Sequence, residues 1–295
     1  MSSARAIRRA LAALLASLAA LAAASAALAF PPVWVVKAKD AEIVLFGSIH
    51  VLPPGLDWEP PALQQALKGA DDIWFELPVD PQSEADTANL ATQMGVLPPE
   101  GSLFRLLAPE DATLMNRVAA AYDVSPMLLD RLQPWLAEIA LAGGAYRKTG
   151  ADANTGVEKT LSALATPNVR REAFETPQEQ ISMLAGGTMD EQIASLRETM
   201  QELDEKPDEY RTLVDAWIAG DVKALDHEAL EPLRTSTPAL FERLVTERNA
   251  HWTQVLDERL KHHGHAVVVV GVGHLIGPGG VPARLRALGY SVTGP

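Results

Sequence analysis

Cysteine is absent from all 295 residues, and that single absence removes three kinds of chemistry. No disulfide can staple the fold, no thiolate can hold a metal, and no lipid can be attached to a cysteine behind a leader. Histidine and the carboxylates are left as the strong metal ligands. Positive charge is scarce as well, since 25 Lys and Arg face 38 Asp and Glu for a formal net charge of −13. A surface of that sign argues against nucleic acid or anionic lipid as partner. Beyond the first residues there is no low-complexity linker, and no serine sits in a glycine-framed nucleophile elbow.

What is present begins with Met1 to Ala29. Arg5, Arg8 and Arg9 precede an alanine- and leucine-rich run that ends in Ala27-Leu28-Ala29, a small-x-small cleavage pattern before Phe30. We read it as a cleaved secretory signal, because a membrane span needs about 20 residues of stronger hydrophobicity. The expected product is a periplasmic or secreted bacterial protein without a stable membrane anchor. Residues 30–295 are expected to form one α/β domain with a helical middle region.

The stretch that organises the chain is Ala266-Val267-Val268-Val269-Val270-Gly271-Val272-Gly273-His274, an apolar run that stops at a histidine. Consecutive valines suit a strand covered on both faces, as in a parallel sheet. Glu42-Ile43-Val44-Leu45-Phe46-Gly47-Ser48-Ile49-His50 repeats the device near the start. Gly47 falls on Gly271, His50 on His274, Pro54 on Pro278 and Gly55 on Gly279. Two matched strand–GxxH units therefore end in equivalent histidines.

Val33 to Ala38 and Glu42 to Phe46 read as an antiparallel hairpin. Pro60 to Gly69 reads as a helix, and Asp72 to Leu77 as a strand stopped by Pro78. The resulting βαβ order brings Glu76 to the same sheet edge as His50. Helical periodicity from Ser102 to Lys148 predicts helices that cover the sheet. Val169 to Phe174 is a short strand ending in Glu175-Thr176-Pro177, which repeats the acid-before-proline of Glu76. Helices are also expected over Gln178 to Glu205, Asp208 to Glu228, Pro238 to His262 and Val281 to Leu288. The fold class is α/β: a mixed, largely parallel β-sheet flanked by α-helices.

Two imidazoles and a carboxylate at one sheet edge suit a divalent metal with open positions, or a general acid/base pair beside a substrate. His50, His274 and Glu76 are the candidate metal ligands. Arg248 and Asn249 sit inside a helix, where an Asn has poor intrinsic propensity and calls for another explanation. Their expected part is to orient substrate or its developing oxyanion. Glu175 is either a second carboxylate of the site or a cap for the helix at Pro177. Ser48 is a weak nucleophile candidate, since Val272 replaces it in the second unit. His262, His263 and His265 resemble a metal cluster but fall at a helix end, where an exposed turn explains them.

Gly47-Ser48-Ile49-His50, Trp74-Phe75-Glu76-Leu77, Phe174 to Gln180, Glu247-Arg248-Asn249 with Trp252, and Val270 to Gly277 resemble, in that order, the TraB/GumN family, related to the Tiki metalloproteases. The likeness spans essentially the whole chain after the leader. It implies an α/β fold of the erythromycin-esterase/Tiki-like kind and carries functional roles onto His50, His274, Glu76 and Arg248. It also implies peptide-bond hydrolysis with a divalent metal ion, manganese or cobalt foremost and zinc as a further choice. The Gly156-Val157-Glu158 segment and the Ala165–Asn168 turn are compressed relative to that family. The function expected is a metal-dependent hydrolase, a peptidase acting on a peptide or small-molecule substrate. Two alternatives stand beside it: an exported binding protein that sequesters a peptide, metal or haem, and a metal-free esterase-like hydrolase with a histidine base.

Overall fold

The computed structural model describes residues 30–295, so the signal read at Met1–Ala29 lies outside the described residues. Val33–Lys37 (β1) and Ala41–Ser48 (β2) form the expected antiparallel hairpin, with Val35 opposite Val44. Pro61–Gly69 (α1) has proline in its first turn and buries Leu63 and Leu67. It leads to Asp72–Phe75 (β3). Pro81–Gly95 (α2) follows, capped by Asp80, whose carboxylate accepts from the amides of Gln82 and Ser83. This helix was not anticipated from the sequence, because only Ser83 and Gly95 of it are buried and no apolar stripe marks it.

Pro109–Ala121 (α3) and Pro134–Lys148 (α4) make up most of the middle region. Val157–Leu164 (α5), the edge strand Arg170–Ala173 (β4) and Pro177–Ala185 (α6) come next. Met189–Glu205 (α7) and Glu209–Ala219 (α8) precede a helical run over residues 222–260 that is interrupted at Thr237 and whose last part is Glu247–Leu260 (α9). The expected single helix from Gln178 to Glu205 is thus broken at Gly186-Gly187. Gly264–Gly271 (β5), Val281–Ala287 (α10) and Ser291–Thr293 (β6) close the chain.

The strands make one mixed sheet in the order β4-β3-β5-β2-β1-β6. β4, β3, β5 and β2 run parallel, while β1 pairs antiparallel with β2 and with β6. β5, the last of the parallel strands in the chain, lies between β2 and β3, so the carboxyl ends of three strands distant in sequence become neighbours. Open α/β sheets bind ligands at such a place. Ala266 to Val270 are each about 1 % exposed or less, as a strand covered on both faces requires.

One expectation needs correcting. The helices from Leu103 to Ala145 do not cover the sheet; they bury Met115, Val118, Leu129 and Leu141 against Leu196 and Met200 of α7 in a separate apolar cluster. The sheet's own core takes its helical cover from α1, α5, α8, α9 and α10. Periodicity shows that a helix has a buried face, and leaves open what that face is buried against.

Candidate functional site

At the carboxyl end of β2 the chain continues as a bend, and His50 emerges with its side chain 65 % exposed. At the carboxyl end of β5 the matched segment instead winds into a 3₁₀ turn, Val272–His274, which turns His274 inward to 7 % exposure. The two units are alike in sequence and offset in space, since β-pairing sets Ser48, not Gly47, beside Gly271. Gly47 has a steric reason to be glycine: a Cβ there would lie 2.7 Å from Val272 Cγ2. The motifs pack backbone against side chain.

Glu76 follows β3 directly and is 7 % exposed. Its Oε1 accepts the Gly271 amide at 2.7 Å, which ties it to the end of β5. A Cβ built on Gly271 would lie 3.2 Å from Glu76 Oε1, 3.7 Å from His274 Cδ2 and 3.9 Å from His50 Nε2. Three side chains from positions 50, 76 and 274 therefore converge over one glycine.

Hydrogen bonding fixes the state of each imidazole. Asn249 Nδ2 donates to the Gly279 carbonyl at 3.0 Å, so its Oδ1 must be the acceptor facing His274 Nδ1 at 2.7 Å. His274 accordingly carries its proton on Nδ1. Its Nε2 lone pair receives an N–H from Arg248 Nη1 at 3.1 Å. Burial holds this ring neutral, its pKa down to about 3. At His50, Nδ1 donates to Glu158 Oε1 at 2.7 Å, and Ser48 Oγ donates to the same oxygen at 2.5 Å. The Glu158 charge and hydrogen bond raise the pKa of His50 to about 10, against the opposing pull of desolvation and the Arg248 charge. Each histidine is thus held through Nδ1 and offers Nε2 to the shared region, the arrangement that orients imidazole ligands of metals.

Arg248 stands at the centre. Nε donates to Glu175 Oε1 at 2.6 Å, Nη2 to Glu175 Oε2 at 3.0 Å and to Glu76 Oε2 at 2.5 Å. Nη1 serves the Leu244 carbonyl as well as His274, both at 3.1 Å. All five guanidinium N–H groups are engaged. The Leu244 carbonyl lies in a π turn, Glu242–Thr246, which loosens the helical ladder just before α9. Below the guanidinium the Trp252 ring lies 4.6 Å away, and its Nε1 donates to Glu175 at 3.1 Å. Burial alone would raise Glu76; the Arg248 charge foremost, with that of His50 and the Gly271 amide, outweighs it and holds the carboxylate down to about 2. Glu175 goes the other way, because its desolvation outweighs the same arginine.

A scan for family resemblance matches the TraB/PrgY/gumN model over residues 32–294. The chain belongs to the TraB/PrgY/gumN family. Among its relatives is the "Uncharacterized protein YbaP" of Escherichia coli, 24 % identical over 258 residues, covering 87 % of this chain and 92 % of that one. The protein of the same description from Shigella flexneri is 25 % identical over 243 residues, covering 82 % and 87 %. No solved structure matches.

In this TraB/PrgY/gumN chain the geometry refines several expected roles. Asn249 is 1 % exposed with both ends of its amide committed, one to the Gly279 carbonyl and the other to His274 Nδ1. Glu175 does not cap the helix at Pro177; Thr176 does, in a capping box with Glu179. Ser48, 2 % exposed, donates its hydroxyl to Glu158. His262, His263 and His265 are exposed around the turn after α9. The residue that sequence reasoning passed over is Glu158, in the first turn of α5. Its signal was Gly156, where any Cβ would strike the His50 carbonyl, so that α5 can start against the first histidine.

Among the described residues no three His, Cys, Asp or Glu side chains close into a metal-binding group. At this site the Arg248 guanidinium occupies Glu76 Oε2 and His274 Nε2. In kind the residues fit a dication. Glu76 and Glu175 share one guanidinium, Glu158 faces His50, and both histidines are neutral donors through Nε2 once His50 gives up its proton.

Proposed function

We propose that this family member is a metal-dependent hydrolase acting on peptides, with His50, Glu76 and His274 as holders of the ion. The observation that carries this reading is the convergence of two Nδ1-anchored imidazoles and one buried carboxylate over Gly271. A surplus of carboxylate over guanidinium around that point supports a cation of charge two there. When bound, a divalent ion such as manganese or cobalt, or zinc, supplies a polarised carbonyl and an acidified water.

The chain's own residues divide the remaining work. Glu158 and Asn249 keep the histidines in the Nδ1–H tautomer, so that Nε2 is the lone pair on offer. Glu175 and Trp252 hold the guanidinium of Arg248 beside Glu76. The Arg248 N–H now spent on His274 Nε2 would be free, were that nitrogen to hold an ion, to donate to a developing oxyanion. The cleft that opens from His50 and Glu76 has a volume of about 440 Å³, enough for a peptide segment.

The test is elemental analysis of protein purified without chelator, followed by digestion of a peptide library with and without added manganese or cobalt. Stoichiometric metal and chelator-sensitive cleavage are expected. A protein that takes up no divalent ion and cleaves no peptide overturns the reading.

A further inference from the structure

The cleft beside His50 and Glu76 has a composition that selects among peptides, and this inference rests on the hydrolase reading above. From Glu76 the chain continues as Leu77-Pro78-Val79, and these residues with Phe75 form one wall. The facing wall is α2, which turns Thr87, Ala88 and Ala91 toward the same space. Thr87 spends its hydroxyl on the Ser83 carbonyl at 2.8 Å, which leaves its methyl as the uncommitted part. The cavity between the walls, about 440 Å³, is large because α2 puts short side chains where longer ones would fill it.

Charge at the rim is already matched. Lys159 Nζ lies 3.0 Å from Glu84 Oε1, so the lysine that lines the cleft has its counter-charge in place. Glu76 and Glu158 are engaged with Arg248 and His50. A charged group entering the cavity would lose hydration and find each opposite charge taken, a cost that an apolar group does not meet. We propose that this cleft is the subsite for a large apolar side chain, aromatic or branched aliphatic, next to the bond that the site acts on. α2 sets its depth, and the Glu84–Lys159 pair excludes acidic side chains.

The geometry names two substitutions with opposite effects. Ala88 is exposed on α2, so Ala88→Trp places an indole in the cleft without disturbing the core. Glu84→Ala frees Lys159 to meet an acid. The experiment uses the full protein with added manganese and a set of peptides differing at one position, Phe, Leu, Ala, Gly or Glu. Cleavage is read as kcat/KM, and binding of the same peptides is read by calorimetry.

Wild type is expected to favour Phe and Leu over Gly by at least tenfold. Ala88→Trp should lose most of that preference while Gly and Ala peptides change less than threefold. Glu84→Ala should raise the Glu peptide severalfold relative to wild type. Cleavage without preference for Phe or Leu, or a preference unchanged in Ala88→Trp, overturns the subsite and leaves the hydrolase reading standing. If no peptide is cleaved, the hydrolase reading falls and the calorimetry decides the subsite. Apolar-selective binding lost in Ala88→Trp sustains it, and unselective or absent binding overturns it.

Discussion

His50 and His274 look equivalent in sequence, yet the structure predicts that their removal has very different consequences. Consider His274→Ala and His50→Ala, both studied after chelation so that ion binding adds nothing to stability. His274 is 7 % exposed, packs 4.4 Å from the Trp252 ring, and satisfies the Asn249 carbonyl oxygen, which is itself buried. Truncation leaves a ring-sized cavity and an orphaned acceptor, together worth about 3–5 kcal/mol. His50 has 65 % of its side chain in water, and its bond to Glu158 is closer to a surface ion pair, worth about 0–1 kcal/mol. For a chain of this size a kcal/mol moves the midpoint by roughly 2–4 °C. His274→Ala should therefore melt about 6–20 °C below wild type, and His50→Ala at most about 4 °C below. Differential scanning calorimetry is the assay. Equal losses in the two variants would refute the argument, because they would mean that the 3₁₀ turn does not bury the second imidazole.

Arg248→Ala should cost about 3–5 kcal/mol in urea denaturation, because it leaves the buried Glu76 and Glu175 without their counter-charge. Arg248→Lys should recover only part of that, since an ammonium cannot reproduce the bidentate pairing; full recovery would argue against the clamp. Asn249→Ala should orphan the buried His274 Nδ1–H at about 1–3 kcal/mol, while the Gly279 carbonyl keeps its bond from Arg284, and the ¹⁵N spectrum should lose the single Nδ1–H tautomer of His274. An NMR titration of the chelated protein should find His274 neutral at every pH from 5 to 8, and His50 still protonated above its ordinary 6.5; a His274 that titrates near 6.5 refutes its burial. At the opposite end of β3, burial pushes Asp72 up, but bonds from Arg259, Trp74 and Arg170 outweigh it and hold it below its ordinary 3.8. A depressed carboxylate stabilises the fold above its unfolded pKa and loses that contribution as pH falls. Asp72→Asn should accordingly flatten the loss of stability below pH 4, and an unchanged acid limb would count against the pair.

The sheet was legible because its signals are local. Val267 to Val270 declare a strand buried on both faces, and the repeat of Gly-x-x-His declares that two strands end alike. Parallel βαβ logic then carried Glu76 to the same edge. What the sequence could not carry is the difference between the two copies. A bend after Ser48 and a 3₁₀ turn after Gly271 accompany the packing of Gly47 on Val272 and the place of β5 between β2 and β3, and neither is visible at either site alone. Glu158 was missed for a related reason. A glutamate in the first turn of a helix is ordinary, and it becomes particular only when Gly156 lets that helix begin against the His50 carbonyl. Asn249 was noticed for the right cause, poor helix propensity, and the cost is offset by the buried bond to His274. Burial adds what the sequence did not show: Asn249, 1 % exposed, spends both ends of its amide on neighbours. Local pattern thus identified which residues belong together, while the division between those that face the cleft and those that hold them in place arose only from packing across the sheet edge.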